Sequence, residues 1–235
     1  WTVPPASWTS LEAFAERIKL PAELLRDLSR ESGDRYRHFG QKKRSGGRRP
    51  IDEPDVILKA VQKLILKRVF GRIADPSPIA YAVKGRSYVD AARRHEYRQW
   101  VGCDDISNFF PSITTEMVRG LFSKMGSEPE LADMLASLLT YRGSLPQGAP
   151  TSPAIANFLL FAVDNRVHQA AQENGGRASR VTDDYAYSGL SPAVIEAIRA
   201  VAEKEVRALG FNFNPKKKRT TRRDQAQYVH GLTMN

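Results

Sequence analysis

Arg180-Val181-Thr182-Asp183-Asp184-Tyr185-Ala186-Tyr187-Ser188 sets two aspartates between two short runs of strand character, and a second pair, Asp104-Asp105, closes the run Trp100-Val101-Gly102-Cys103. Asp-Asp between flanking strands reads as a tight turn, because aspartate tolerates the left-handed backbone that hairpins need. It also reads as a cation site. Like charges at the tip of one hairpin and the end of a neighbouring strand repel, and a hard divalent cation relieves the repulsion. Mg2+ takes few protein carboxylates and completes its octahedron with water and substrate phosphates. Two such ions about 3.5–4 Å apart would activate an attacking hydroxyl and stabilise a leaving pyrophosphate. That chemistry is nucleotidyl transfer.

Outward from these pairs the chain alternates short strands with longer helices. Strand-like runs fall at Gln99 to Asp105, Arg180 to Val181, Ala186 to Ser188 and Tyr228 to Leu232. Thr9 to Glu12 has capping-box spacing ahead of Leu11, Phe14 and Ile18, and Pro21 suits the first turn of a second short helix. Residues 55–70 repeat Ile57, Val61, Leu64 and Arg68 with helical spacing. Ile155, Leu159, Ala162 and Val163 predict one long helix from Ala149 to Gln169. Ser191-Pro192 opens a helix buried through Ile195, Ile198, Ala202, Val206 and Leu209 and closed by Gly210. Arg35 to Phe39 and Arg48 to Asp52 flank Ser45-Gly46-Gly47, the pattern of a hairpin with basic arms, a mobile flap. The expectation is an α+β domain whose helices cover one face of a small sheet.

At 235 residues the chain fits one large domain or two lobes sharing a core. Hydrophobic residues at 41% and charged residues at 26% exclude a disordered tail, a collagen-like repeat and a coiled coil. No apolar run is long enough for a membrane span. Cys103 is the single cysteine, which excludes an internal disulfide framework and a multi-cysteine zinc site and fits a reducing cytoplasm. Trp1 stands where methionine is expected and no signal peptide follows, so the numbering is read as starting inside a longer or processed protein. Lys and Arg number 36 against 26 Asp and Glu, a net +10, and the excess is local. Residues 42–49 (KKRSGGRR) hold five cations and residues 216–223 (KKKRTTRR) hold six, with no acid in either window, so the remaining 25 cations face 26 acids. One such run reads as a solvated face, whereas two runs carrying the whole excess read as a grip on phosphates.

The motifs become specific in series. Asp105-Ile106-Ser107-Asn108-Phe109-Phe110-Pro111-Ser112-Ile113 resembles motif A of bacterial reverse transcriptases. Leu145-Pro146-Gln147-Gly148-Ala149-Pro150-Thr151-Ser152-Pro153, followed by Ala156-Asn157, resembles their motif B. Val181-Thr182-Asp183-Asp184 resembles the YADD box of motif C, and Gly210-Phe211 with Asn214 and Lys217 resembles motif D. Upstream, Arg49-Pro50-Ile51, Pro54, Lys59 and Gln62 resemble the fingers segment. Ala91-Ala92-Arg93-Arg94-His95 resembles the NAxxH signature of retron reverse transcriptases, and Val229-His230-Gly231 their VTG triplet. Ala91 stands where Asn is usual, His230 where Thr is usual, and Val181-Thr182 where Tyr-Ala is usual. The resemblance runs in order from about residue 40 to 235.

That resemblance implies a right-hand polymerase fold with a small antiparallel palm sheet covered by helices. N-terminal helices and fingers would span 1–100, with further fingers near 114–145, and the palm 101–113 and 146–235; the thumb is expected to be missing from the chain. It implies an RNA-directed DNA polymerase of retron type that extends a primer on a structured non-coding RNA, taking deoxynucleotides and two Mg2+ ions with Mn2+ as substitute, in antiphage defence. DNA is the product, an effector or toxin protein is a further partner, the location is cytoplasmic, and no membrane is involved. Asp105, Asp183 and Asp184 are then catalytic and, with the Ile106 carbonyl, hold metal; Asp104 is the weaker choice because the Ile-x-x-Phe-Phe pattern follows Asp105. Phe110 is the gate against a ribose 2′-OH, with an aromatic core role as its alternative. Gln147 and Gly148 line the nucleotide site, Arg49 and Lys43 hold the triphosphate, and Lys217 sits near the leaving pyrophosphate. Arg93, Arg94, His95, Val229, His230 and Gly231 are assigned to RNA binding, the two histidines alternatively to structure. The competing readings are a group II intron maturase, an untemplated antiphage reverse transcriptase, and a non-catalytic RNA-binding subunit.

Overall fold

A computed structural model describes residues 9–42, 46–72 and 77–235. The first elements are helices α1 (Leu11–Ile18) and α2 (Ala22–Arg30), strands β1 (Tyr36–Lys42) and β2 (Arg48–Pro54), then α3 (Val56–Arg68), α4 (Tyr88–Arg93) and β3 (Trp100–Asp105). Next come α5 (Phe109–Ser112), α6 (Thr115–Lys124), α7 (Pro129–Leu139), α8 (Ser152–Leu159) and α9 (Phe161–Glu173). The chain finishes with β4 (Arg177–Val181), β5 (Asp184–Gly189), α10 (Pro192–Ala208), β6 (Arg219–Arg222), β7 (Tyr228–Val229) and β8 (Leu232–Thr233). Among the described residues the strands pair antiparallel, with one isolated parallel bridge from Ala80 to Arg180, and the architecture is α+β. Two compact units divide the chain: Trp1–Ala74 with Phe110–Ala156, and Asp75–Phe109 with Asn157–Asn235.

In the first unit α1 is capped by Ser10, whose side chain accepts the Ala13 N–H, one residue later than the expected Thr9. The Thr9 carbonyl instead accepts the Glu128 N–H at 2.7 Å. Leu11, Phe14 and Ile18 are buried as their spacing anticipates. In α3 the buried face is Leu58, Val61, Gln62 and Ile65, while Ile57 is exposed, so the helix is turned from the face its apolar residues suggest. The cause is Gln62, whose amide donates to the Leu138 carbonyl at 2.9 Å and the Tyr36 hydroxyl at 3.0 Å. A hydrogen-bonded polar group can occupy a core position that apolar periodicity assigns to an aliphatic one. Strands β1 and β2 pair from Tyr36↔Pro54 to Lys42↔Arg48, forming the basic-armed hairpin. The Asp52 N–H donates to the Gln147 carbonyl at 2.8 Å.

The long helix expected from Ala149 to Gln169 is two helices. It starts at Ser152 and breaks at the fully buried Leu160, whose ψ of −1° departs from the helical value of about −42°.

The second unit is built on a four-stranded sheet of order β4-β5-β3-β6. Its edge strand β6 comes from the second basic run, whose sequence shows charge and no strand pattern; Arg219 to Arg222 pair with Cys103 to Trp100. Strand alternation sorts side chains to two faces. On one face lie Gly102, Asp104, Tyr185 and Tyr187, covered by α10, where Ile195, Ile198, Ala202 and Val206 are buried. A Cβ at Gly102 would stand 2.4 Å from Ile195 Cγ2, so the absence of a side chain sets how near α10 lies to the sheet. The opposite face presents Val101, Cys103 and Ala186, packed with Ala92 of α4 and Val229 of β7. Both faces are therefore covered, not one as anticipated. The strand expected at Tyr228 to Leu232 is instead the pair β7–β8, turned by His230 and Gly231 at φ 49° and 83°.

Candidate active site

Asp105 ends β3 and stands directly opposite Asp184, the first residue of β5. Directly opposed residues on antiparallel strands hold their Cβ atoms about 4.5–5.5 Å apart, and like charges there are destabilising. Asp183 and Thr182 form the two-residue turn between Val181 and Asp184. The Ile106 N–H donates to the Asp183 carbonyl at 3.0 Å, tying the hairpin tip to the residue after Asp105. On its other side β3 is continued by the Asn214 N–H, which donates to the Asp105 carbonyl at 2.8 Å, and by the Ser107 N–H on the Asn212 carbonyl at 2.9 Å. Backbone bonds from two directions thus bring the three acidic residues to one end of the sheet.

The turn is held from beneath. Thr182 has φ 59°, an outlying conformation for a β-branched residue, and its carbonyl accepts from Arg180 Nη1 at 2.7 Å. Arg180 is fully buried and forks onto both oxygens of Asp164 at 2.8 and 2.6 Å, while the Tyr185 hydroxyl donates to Asp164 Oδ1 at 3.0 Å. The desolvation of a buried ion pair offsets much of its attraction; the bond from Arg180 to the Thr182 carbonyl ties this pair to the turn. Neither Asp164 nor Arg180 was singled out from the sequence as a site residue.

The two members of the upstream pair separate by strand parity. Asp104 turns to the α10 face, where Arg199 Nε donates to its Oδ2 at 2.7 Å; burial pushes its carboxyl up, against the opposing pull of Arg199. Asp105 turns to the other face, where Lys217 Nζ lies 2.7 Å from its Oδ2. Asp183 is pushed up to about 6, first by burial and then by the charge of Asp105, with Asp184 adding to the effect. Asp184 Oδ2 is bonded to His230 Nδ1 at 3.0 Å. Among the described residues no group of three or more His, Cys, Asp or Glu side chains is gathered as a ready-made metal cage.

The remaining expected residues lie as follows. Ile106 is buried. Phe110 is partly buried in the short helix α5. Gln147 Oε1 is buried without a hydrogen-bond partner among the described residues, and Gly148, at φ 139°, would bring a Cβ within 2.7 Å of the Asp52 carbonyl oxygen. Arg49 is exposed on β2, and Lys43 lies outside the described residues. Arg93 is exposed at the end of α4, whereas Arg94 donates to the Tyr81 hydroxyl at 3.3 Å. His95 and Val229 are wholly buried, His230 is nearly so, and Gly231 is exposed.

Residues 41–231 match the family described as reverse transcriptase (RNA-dependent DNA polymerase). The chain belongs to the reverse transcriptase family. It is 35% identical over 97% of its length to the retron Mx65 reverse transcriptase of Myxococcus xanthus, of which it covers 58%. It is 32% identical to the retron Mx162 reverse transcriptase of the same organism over 96% of this chain and 53% of the relative. To the retron Ec86 reverse transcriptase of Escherichia coli it is 28% identical, over 88% of this chain and 66% of the relative. The chain thus spans a little over half the length of the first two of these relatives. Among the described residues of this reverse transcriptase family member, no helix is long and apolar enough to cross a membrane.

Proposed function

We propose that this chain carries the catalytic core of a retron-type RNA-directed DNA polymerase, which extends a primer on a structured non-coding RNA using deoxynucleotides. The observation that supports it most is the pairing of Asp105 against Asp184 with Asp183 at the adjoining hairpin tip. The first unit, with its basic hairpin, is read as fingers, and the second, with the four-stranded sheet, as palm. Antiphage defence and an effector or toxin partner rest on the resemblance alone.

The residues suit divalent cations. Asp105 already draws an ammonium group to 2.7 Å, and Asp183 is raised toward neutrality by burial and by its acidic neighbours. Such a cluster relaxes when positive charge arrives. Asp105, Asp183 and Asp184, with the Ile106 carbonyl, would hold Mg2+, or Mn2+ in its place. When bound, the ions supply charge that favours attack by a primer hydroxyl and departure of pyrophosphate. Lys217 is more than half exposed, so it can leave Asp105 and donate to the departing phosphates. The motif resemblance gives Phe110 the exclusion of a ribose 2′-OH, Gln147 and Gly148 the nucleotide, and Arg49 and Lys43 its phosphates.

Primer extension on an RNA template, comparing the chain with its Asp183→Asn variant, tests the reading. Incorporation by the chain and a fall of about 10³-fold in the variant are expected, the size that several kcal/mol of lost charge stabilisation implies. Equal incorporation by both proteins removes the catalytic assignment, and RNA binding without incorporation by either favours an RNA-binding subunit.

A further inference from the structure

Behind Asp184 runs a continuous line of buried polar side chains. Asp184 Oδ2 meets His230 Nδ1 at 3.0 Å, and His230 Nε2 meets Ser179 Oγ at 2.8 Å. Ser179 Oγ meets His95 Nε2 at 2.7 Å, and His95 Nδ1 meets Ser188 Oγ at 2.7 Å. Ser179, Ser188 and His95 are each 0% exposed, and the His230 side chain is 1% exposed. Ser179 and Ser188 share a strand face with Val101, Cys103 and Ala186, which pack with Ala92 and Val229, while Arg94, Arg98 and Arg177 lie near enough to act on the His95 charge. A core that needed only filling would be better served by aliphatic groups, since every buried polar atom carries a desolvation penalty unless bonded. Here all four ring nitrogens are bonded, and the line leads to the acidic end of the sheet.

We propose that His230 is a positioning residue for Asp184, and that Ser179, His95 and Ser188 lock the His230 ring so that it fixes the rotation of the Asp184 carboxylate for metal binding. This rests on the polymerase reading above, and it assigns the two histidines to holding the acidic site, not to touching RNA. The donors follow from the chemistry of the groups. A carboxylate only accepts, so His230 Nδ1–H donates to Asp184. Burial, and then nearby His230, hold the His95 pKa well below its usual value, so its ring is uncharged with one donor and one acceptor nitrogen. In the proposed line His230 Nε2 accepts, and every bond then points the same way: Ser188 O–H to His95 Nδ1, His95 Nε2–H to Ser179, Ser179 O–H to His230 Nε2, and His230 Nδ1–H to Asp184. The segments around His95 and His230, distant along the chain, are joined at the single hydroxyl of Ser179.

Two measurements that need no catalytic turnover test this. Nitrogen-15 NMR of the histidine rings in metal-free protein is expected to show His230 as the Nδ1–H tautomer and His95 as the Nε2–H tautomer; the reverse tautomer at His95 overturns the directed line. Mn2+ binding followed by electron paramagnetic resonance is expected to weaken about 10- to 100-fold in His230→Phe, the range for removing a hydrogen-bond partner of a metal ligand. Partial recovery is expected in His230→Gln, whose amide can donate. Wild-type Mn2+ affinity in a folded His230→Phe protein overturns the positioning role. If that variant does not fold, His95→Gln serves, with a smaller weakening expected and unchanged affinity again decisive against it. Failure of the polymerase reading looks different: the wild type then binds Mn2+ as expected and extends no primer. A wild type that binds no Mn2+ overturns both.

Discussion

Asp183→Asn should make the metal-free protein more stable at neutral pH while lowering its proposed catalysis about 10³-fold. Asp183 rises from the ordinary 3.8 to about 6 because burial and the Asp105 charge disfavour its ionised form. A carboxyl whose folded pKa lies above its unfolded value holds its proton more tightly when folded. Its contribution to stability is therefore full below about pH 4 and is lost as pH rises through about 6. A shift of about two units at 1.36 kcal/mol per unit sets an upper bound of ~3 kcal/mol on the penalty at pH 7.5, and partial solvent access and relaxation bring it to about 1–3 kcal/mol. Asparagine keeps the shape and removes the charge. For a chain of this size the gain corresponds to a rise in Tm of about 3–10 °C. Thermal unfolding in chelator at pH 7.5 and at pH 4, followed by circular dichroism, measures it, and the difference between variant and wild type is expected to vanish at the lower pH. A variant no more stable than wild type at pH 7.5, or a gain that persists undiminished at pH 4, would refute the claim that the acidic cluster stores electrostatic strain. Mg2+ should close the gap by stabilising the wild type more than the variant.

Phe110→Ala should raise ribonucleotide over deoxynucleotide incorporation about 10- to 100-fold, the scale of a steric discrimination of ~1–3 kcal/mol; unchanged sugar selectivity in primer extension removes the gate role. Gly102→Ala should destabilise by about 1–3 kcal/mol through overpacking, because the new Cβ would meet Ile195 Cγ2 at 2.4 Å. Combining it with Ile195→Ala should cost clearly less than the sum of the two single changes in denaturant unfolding, whereas simple additivity would show that α10 does not rest on that glycine.

What the sequence made legible was whatever depends on neighbours along the chain. The spacing of Ile195, Ile198, Ala202 and Val206 locates the buried face of α10, because one helix surface meets one sheet. The hairpin around Gly46 and Gly47 and the strand carrying Asp104-Asp105 follow from turn chemistry and strand length. Hidden were the features that depend on a partner elsewhere in the fold. Gln62 turns the buried face of α3 because the Leu138 carbonyl, 76 residues away, waits for its amide. Arg219 to Arg222 read as charge and became strand β6, since backbone pairing with β3 does not depend on which side chains face outward.

Ser179 and Ser188 look like ordinary strand serines until the two histidines meet them. One signal was present: they share a strand face with Asp184 and with the apolar Ala186 and Cys103, so two hydroxyls interrupt a face that should otherwise be apolar. Strand parity also separates the two candidate aspartates of β3. Adjacent residues must point to opposite faces, so once Asp104 is committed to Arg199 beneath α10, Asp105 is the one that can share a face with Asp184. Sheet geometry thus sets Asp105, and not Asp104, on the face of Asp184, and the proposed choice of Asp105 as the metal-holding member of the pair rests on that placement together with the motif resemblance.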